Sequence, residues 1–260
     1  MQFPVVFQLG SLAIPAHFLF ETLAYTLGFQ IYRYRLKQQS SDTVLPAEQR
    51  LYLLVACVIG AVILAKGLGW LQTPYVLNTQ GLKEWVPPGK TIVGGLLGGW
   101  IGIEWAKWKL KIQTKTGDLY LWPLAIGLML GRMGCFLSGL HDNTHGLPSN
   151  LPWAVNLGDG ILRHPTQLYE IMFVLGATFL LTRSAFDRFT VGSRFRLWMA
   201  GYLGFRFLSE WIKPVMYIYG GLSAIQWACA LGIAWSLMSF WQLNKPGQVA
   251  LESTHKLSIK

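Results

Sequence analysis

Long apolar runs separated by short polar connections dominate this chain. A helix that crosses a bilayer needs about 20 mostly apolar residues. Glycine and proline inside such a run are tolerated, because neighbouring helices can satisfy the backbone groups that they free. Seven runs have the required length and character, and they cover residues 12–32, 51–71, 91–108, 119–138, 166–182, 196–213 and 222–242. The pattern therefore predicts an all-α integral membrane protein with seven transmembrane helices.

The longest polar connection, Leu140–Pro165, separates the fourth and fifth runs. The fourth run carries an arginine near its end, and the fifth begins with the polar residues Gln167, Tyr169 and Glu170. The connection between them holds three histidines, His141, His145 and His164. We expect the chemistry of this protein to take place around this loop.

Composition supports the membrane interpretation and restricts the chemistry. Only 13% of the residues are charged, whereas soluble domains average roughly a quarter. Cys57, Cys135 and Cys229 all lie within apolar runs, which excludes a CxxC metal site and a disulfide framework. His141 and His145 are separated by residues typical of a turn, so their spacing is weak evidence for zinc. The sequence therefore predicts neither a metal nor another cofactor.

The net charge of +10 is explained by membrane topology. If the N-terminus is outside, most lysines and arginines fall in cytoplasmic connections, as the positive-inside rule requires. This orientation places the 140–165 loop on the outer face, and it argues against nucleic-acid binding. No basic segment precedes the first apolar run, so we do not expect a cleaved signal peptide. We predict one membrane domain over residues 1–244 and a cytoplasmic tail over 245–260.

Two arginines within the predicted spans are candidates for function, because an ionisable residue at membrane depth is energetically costly. Arg132 is flanked by Gly131 and Gly134, which leave space around it, and Arg206 lies four residues before Glu210 on the same helix face. Arg206 and Glu210 can form a structural pair within helix six. Alternatively, the two arginines face one cavity and bind an anionic headgroup, since guanidinium groups bind phosphate oxygens in a bidentate manner.

Two further segments each allow two interpretations. Glu170 lies in the first turn of the fifth helix, where it either stabilises the helix N-terminus electrostatically or contacts a ligand. The glycine-rich start of the third helix includes Gly94 and Gly95. It is not a nucleotide loop, since no strand precedes it and no P-loop lysine follows. Its glycines either allow close helix packing or form a smooth wall that admits a lipid.

In combination, these residues resemble the prolipoprotein diacylglyceryl transferase family of bacterial inner membranes. The similarity extends over most of the chain, and its pieces are specific only when they occur together. The matching pieces are Tyr25-Thr-Leu-Gly-Phe29, Gly94-Gly95-Leu-Leu-Gly98, Gly131-Arg132-Met-Gly134-Cys-Phe136, Pro152-Trp153, Arg163-His164-Pro165-Thr-Gln167-Leu-Tyr169-Glu170, Phe205-Arg206 with Glu210, and Gln226.

The resemblance implies transfer of a diacylglyceryl group from phosphatidylglycerol to the lipobox cysteine thiol of a prolipoprotein, with release of glycerol phosphate. It implies that Arg132 and Arg206 stabilise the charge that develops on the phosphate, and that Tyr25 lines the lipid cavity. The full set of residues expected to contact substrate is Tyr25, Gly94, Gly95, Gly131, Gly134, Gln167, Tyr169, Glu170 and Glu210.

The chain departs from the family pattern at four polar positions. Val93 replaces a histidine, Cys135 and Ser138 replace asparagines, and Leu140 replaces an acidic residue. The attacking thiol must become a thiolate, which needs a base or a positive field.

We expect His141, His145 or His164 to supply that base. Two alternatives remain open: a related phospholipid-using transferase with a different acceptor, and a non-catalytic lipid-binding membrane protein.

Overall fold

The computed structural model describes residues 3–39, 44–73 and 89–245, and these residues are mostly helical. Each of the seven predicted runs overlaps one α-helix of the described residues. The helices are α1 Ala16–Lys37, α2 Ala47–Gln72, α3 Ile92–Leu110, α4 Leu121–Leu137, α5 Thr166–Leu181, α6 Ser193–Ser209 and α7 Ala224–Leu243. The predicted tail lies outside the described residues except for Lys245.

Three helical segments are long and apolar enough to cross a membrane, namely Ala47–Gln72, Gly117–Leu137 and Ala224–Leu243. Thr166–Leu181 is a shorter apolar helix. Within α2 only Leu53 and Gly69 are buried, although α2 is the most hydrophobic of the three candidate segments. Such an apolar and unburied surface suits contact with lipid chains. The count of seven spans remains a prediction.

The first predicted span begins too early, because Leu12–Pro15 forms a strand rather than helix. This strand, β2, pairs antiparallel with β1, Val6–Leu9, across a turn at Gly10, whose φ of 61° suits glycine. Two backbone hydrogen bonds fix the hairpin: the Val5 amide donates to the Leu137 carbonyl at 2.9 Å, and the Ala16 amide donates to the Val5 carbonyl at 3.0 Å. The start of α1 is therefore tied to the end of α4.

Glycines in α3 allow close packing against α2. A Cβ atom at Gly98 would collide with the Gly60 carbonyl oxygen, and one at Gly94 would collide with the Leu64 carbonyl oxygen. Small residues at four-residue spacing permit this backbone approach. A Cβ at Gly95 would lie 4.0 Å from the nearest neighbouring atom, the Ala65 Cβ. Close packing thus accounts for Gly94, whereas Gly95 has room around it.

The core is centred on α6, where Trp198, Met199, Tyr202 and Leu203 are almost completely buried. Side chains from α3, α4, α5 and α7 pack against this face. The buried Trp198 indole N–H donates to the Thr178 hydroxyl at 2.9 Å, which satisfies its polar atom. This packing holds α5 and α6 side by side.

The 140–165 loop folds over one end of the helices, which we call the loop end. It contains a 3-10 turn, Gly139–Asp142, and a short antiparallel pair, β3 Val155–Asn156 and β4 Leu162–Arg163. The Leu147 amide donates to the Ile212 carbonyl at 2.8 Å, which attaches the loop to the end of α6. The loop therefore forms a folded cap over the loop end.

Candidate active site

Glu170 connects the two buried arginines, Arg132 and Arg206, at the loop end. Its Oε1 lies 2.9 Å from Arg132 Nε, and its Oε2 lies 3.2 Å from Arg206 Nη1. The Tyr202 hydroxyl also donates to Glu170 Oε1 at 2.6 Å. All four side chains are buried. Residues from α4, α5 and α6 thus converge on one carboxylate, and Arg132 and Arg206 share it as a partner.

Arg206 also pairs with Glu210, with Nη2 and Oε1 2.9 Å apart. The structural pair considered from the sequence therefore exists, and it belongs to the same cluster as Arg132. The other carboxylate oxygen of Glu210 is buried and has no hydrogen-bond partner among the described residues. The cluster is more than a helix-stabilising pair, because it joins three helices and retains unsatisfied bonding capacity.

Lys213 adds a third cation beside this cluster, beyond the end of α6 and its 3-10 extension Glu210–Ile212. Its side chain is buried. Burial, together with the charges of Arg206 and Arg132, lowers the pKa of Lys213 to about 7. Its ammonium makes no ion pair with the residues that the structure describes, so a proton at Lys213 changes the net charge of the site near neutral pH.

The three loop histidines lie apart from the arginines. His141 is exposed, and His145 Nδ1 lies 3.1 Å from the Gly146 carbonyl oxygen. His164 Nδ1 lies 3.2 Å from the Tyr169 hydroxyl, which accepts a hydrogen bond from the Trp153 indole at 2.7 Å. Within the described ranges, no hydrogen bond or ion pair joins these histidines to Arg132 or Arg206.

A second polar group, missed by the sequence analysis, adjoins Arg132 on its α1 side. His17 Nδ1 lies 3.9 Å from Asp142 Oδ1, and Cys135 Sγ lies 4.0 Å from Arg132 Nη1. Gly134 makes this approach possible, since a Cβ there would lie 3.0 Å from the Phe20 Cβ. His17 is four residues before Glu21 on one helix face, which is the signal that could have indicated it.

The remaining predicted residues occupy varied places. Tyr25 is 71% exposed, and its hydroxyl donates to Glu21 at 3.4 Å. Gln167 is buried and donates to the Thr144 hydroxyl at 3.1 Å. A Cβ at Gly131 would meet no neighbouring atom within 4 Å, so space does surround this position.

Tyr202 was also missed by the sequence analysis. It lies four residues before Arg206 on α6, and residues four apart share one face of a helix. This spacing could have indicated Tyr202 from the sequence. Val93 is completely buried in the apolar core and offers no polar group.

The fold and the buried ionic cluster define a helical membrane protein with a polar site at one end of its helices. The chain belongs to the prolipoprotein diacylglyceryl transferase family, whose model matches residues 4–242. It is similar to proteins named phosphatidylglycerol–prolipoprotein diacylglyceryl transferase. The one from Bordetella bronchiseptica is 29% identical over 86% of this chain and 88% of the relative. The one from Bordetella avium is 31% identical over the same shares, and the one from Wolbachia pipientis of Culex pipiens is 31% identical over 70% of each chain.

Proposed function

We propose that this chain transfers a diacylglyceryl group from phosphatidylglycerol to the lipobox cysteine thiol of prolipoproteins. Family membership supports this function. The observation that carries it is the buried Arg132–Glu170–Arg206 arrangement, with ion pairs of 2.9 Å and 3.2 Å to one carboxylate. The reaction has a phosphate leaving group, and a pair of fixed guanidinium groups suits that anion.

We place this reaction at the outer face of a bacterial inner membrane. Seven spanning helices with the N-terminus outside would put the loop end there, and the distribution of lysine and arginine supports that orientation. Substrate phosphatidylglycerol would enter laterally from the bilayer. The prolipoprotein cysteine would approach from the same leaflet.

Pre-orientation by Glu170 explains how the arginines would act on phosphate. Glu170 contacts Arg132 through Nε at 2.9 Å, and the guanidinium group of Arg132 carries two further nitrogens, Nη1 and Nη2. A headgroup phosphate would bind these nitrogens without displacing the carboxylate. When the glycerol carbon–oxygen bond breaks, the additional negative charge on phosphate would develop beside cations that are already in position.

The chemical step forms one bond and breaks one bond. The cysteine thiol loses its proton, its sulfur forms a bond to the terminal glycerol carbon of the diacylglyceryl group, and the bond from that carbon to the phosphate oxygen breaks. The electron pair of the broken bond stays with glycerol phosphate, which takes up the proton. The base that removes the thiol proton was assigned to His141, His145 or His164 from the sequence, and that assignment remains a prediction.

Arg132→Lys provides a direct test because it keeps the charge and removes the planar fork. With labelled phosphatidylglycerol and a lipobox peptide, we expect the purified unaltered protein to form the thioether product. We expect Arg132→Lys to decrease kcat by about 100-fold. Arg163→Lys is the matched control, since Arg163 pairs with Asp159 in the loop and lies outside the cluster. Absence of product from the unaltered protein, with an active family member assayed in parallel, would refute the function.

A different acceptor is the second candidate, and one observation favours it. Val93 occupies the position where the family has a histidine, and it is buried in the apolar core. This chain therefore lacks the side chain that would act on the acceptor thiol at that position. Expression in a strain depleted of its own transferase separates the two candidates. Rescue of growth supports a prolipoprotein acceptor, whereas transfer to another thiol or hydroxyl compound without rescue supports the alternative.

A further inference from the structure

Three potential metal ligands meet beside Arg132 from three separate elements: His17 of α1, Cys135 of α4 and Asp142 of the 3-10 turn. One ligand atom of each lies within 4.8 Å of the other two. His17 Nδ1 is buried and has no hydrogen-bond partner among the described residues. We propose that these three residues bind one zinc ion, which activates the acceptor thiol. The sequence analysis predicted no metal because these residues are far apart in the chain.

The spacing is close to that of a tetrahedral site. Zinc bonds to histidine nitrogen, cysteine sulfur and carboxylate oxygen are about 2.0–2.3 Å long, which corresponds to separations of roughly 3.3–3.8 Å between ligand atoms. His17 Nδ1 and Asp142 Oδ1 are 3.9 Å apart. The three ligand atoms now lie within 4.8 Å of one another, so zinc binding would draw them together by rotation of the side chains. A site with three protein ligands and one open position is typical of catalytic zinc.

The surrounding contacts are those expected around metal ligands. A metal-binding histidine usually donates its second ring N–H to a carboxylate, and His17 Nε2 lies 3.9 Å from Glu21 Oε2. The second oxygen of Asp142 accepts a hydrogen bond from the Thr144 hydroxyl at 2.7 Å. Arg132 Nη1 adjoins Cys135 Sγ, where its charge would favour a thiolate. Each ligand thus has a polar or charged group close to it, and a hydrogen bond already holds Asp142.

The open position explains how the reaction would proceed without the histidine replaced by Val93. This catalytic role rests on the proposed transferase function. The acceptor thiol would lose its proton on binding zinc, and its sulfur would attack the glycerol carbon of the lipid whose phosphate is held by Arg132 and Arg206. The leaving phosphate oxygen takes the electron pair of the broken bond and the released proton. Zinc remains divalent throughout, so no oxidant or reductant is needed.

Metal binding is tested on the purified full chain in detergent with Zn²⁺ and with Co²⁺ as a spectroscopic substitute. We expect one ion per chain and a sulfur-to-cobalt charge-transfer absorption. Loss of a residue that only contacts a metal ligand typically weakens metal binding 10–100-fold. Loss of a ligand itself should have a larger effect, so we expect His17→Ala, Cys135→Ser and Asp142→Asn each to weaken metal binding by at least about 100-fold. Glu21→Gln should weaken it about 10-fold. Cys57→Ser is the matched control, because Cys57 lies on α2 beside Gly99, and it should leave binding unchanged.

The outcomes separate the metal site from the transferase function. If the unaltered chain binds no more Co²⁺ than Cys135→Ser, or if its spectrum lacks the sulfur band, the zinc site is refuted. If transfer survives complete chelation of zinc, the transferase function stands and the catalytic role of zinc is refuted. If one zinc binds through these ligands and no lipid is transferred to any thiol, the site stands and the transferase function fails. Asp142→Glu keeps a carboxylate ligand, and its partial binding would show that loss in Asp142→Asn is not misfolding.

Discussion

At the scale of single residues, the balance of charge in the buried cluster governs the site. Arg132, Arg206 and protonated Lys213 carry three positive charges, whereas Glu170 and Glu210 carry two negative ones. Buried charges are stable only when they are paired, and removal of one partner leaves an uncompensated charge. The cluster therefore holds its arginines in place before any substrate arrives, and it retains a small positive excess for an anion.

Glu170→Gln should destabilise the protein, because the amide keeps the shape of the side chain and removes the charge that Arg132 and Arg206 share. Breaking a buried pair in this way costs about 3–5 kcal/mol. Denaturant unfolding of the detergent-solubilised protein measures the change. Asp159→Asn, at an exposed pair with Arg163, is the control and should have a much smaller effect. Equal stability of the two variants would contradict the structural role of Glu170.

Lys213 should make phosphatidylglycerol binding depend on pH near neutrality. Its pKa of about 7 means that it is charged at lower pH and neutral at higher pH, so the KM for the lipid should rise as pH increases through 7. The charged groups around it are Arg132, Arg206, Glu170 and Glu210. Lys213→Arg should hold KM low at every pH, and Lys213→Met should hold it high.

The same shift determines how stability depends on pH. Because the pKa is lowered in the folded chain, the unfolded chain binds a proton at Lys213 between about pH 7 and the ordinary lysine value near 10.4, and the folded chain does not. The contribution of this residue to stability therefore rises with pH over that window. A KM inflection that persists in both Lys213 variants would show that Lys213 is not the group responsible.

At the scale of elements, the apolar runs were sufficient to locate the seven α-helices of the described residues, and they failed where tertiary contacts decide local structure. Leu12–Pro15 is apolar enough to be counted as helix, yet it pairs with β1 because Val5 bonds to the end of α4. The buried arginines were identifiable from sequence, since a charge in an apolar run is unusual. The proximity of His17 to Asp142 was not, because it depends on how α1 approaches α4 at Gly134.

The contact between α2 and α3 should depend on particular glycines. Gly98→Val would place a side chain against the Gly60 backbone, and overpacking of this kind costs typically about 1–3 kcal/mol. Gly95→Val is the matched control, because the nearest atom to its Cβ would be 4.0 Å away. Thermal unfolding in detergent should show a lower Tm for the first variant. A lower Tm for Gly95→Val instead would mean that the packing face of α3 has been misidentified.

At the scale of the whole molecule, Arg132 lies between two polar systems that reach the loop end from opposite sides. On one side are α5 and α6, which supply Glu170, Tyr202 and Arg206. On the other side are α1 and the 3-10 turn after α4, which supply His17 and Asp142. A lipid phosphate and an acceptor thiol need adjacent but different environments, and this division provides both within one helix end.

Topology is the property of the whole molecule on which the proposed reaction depends, since we propose that the acceptor and the lipid both reach the loop end from outside the cytoplasm. We expect Ser149→Cys, in the loop, to react with a membrane-impermeant maleimide in intact cells. Gln38→Cys, just after α1, should react only after permeabilisation, because the basic residues near it favour the cytoplasmic side. The unaltered chain, whose three cysteines lie within helices, is the blank. The reverse labelling pattern would place the loop in the cytoplasm, and transfer to exported prolipoproteins at this site would then be excluded.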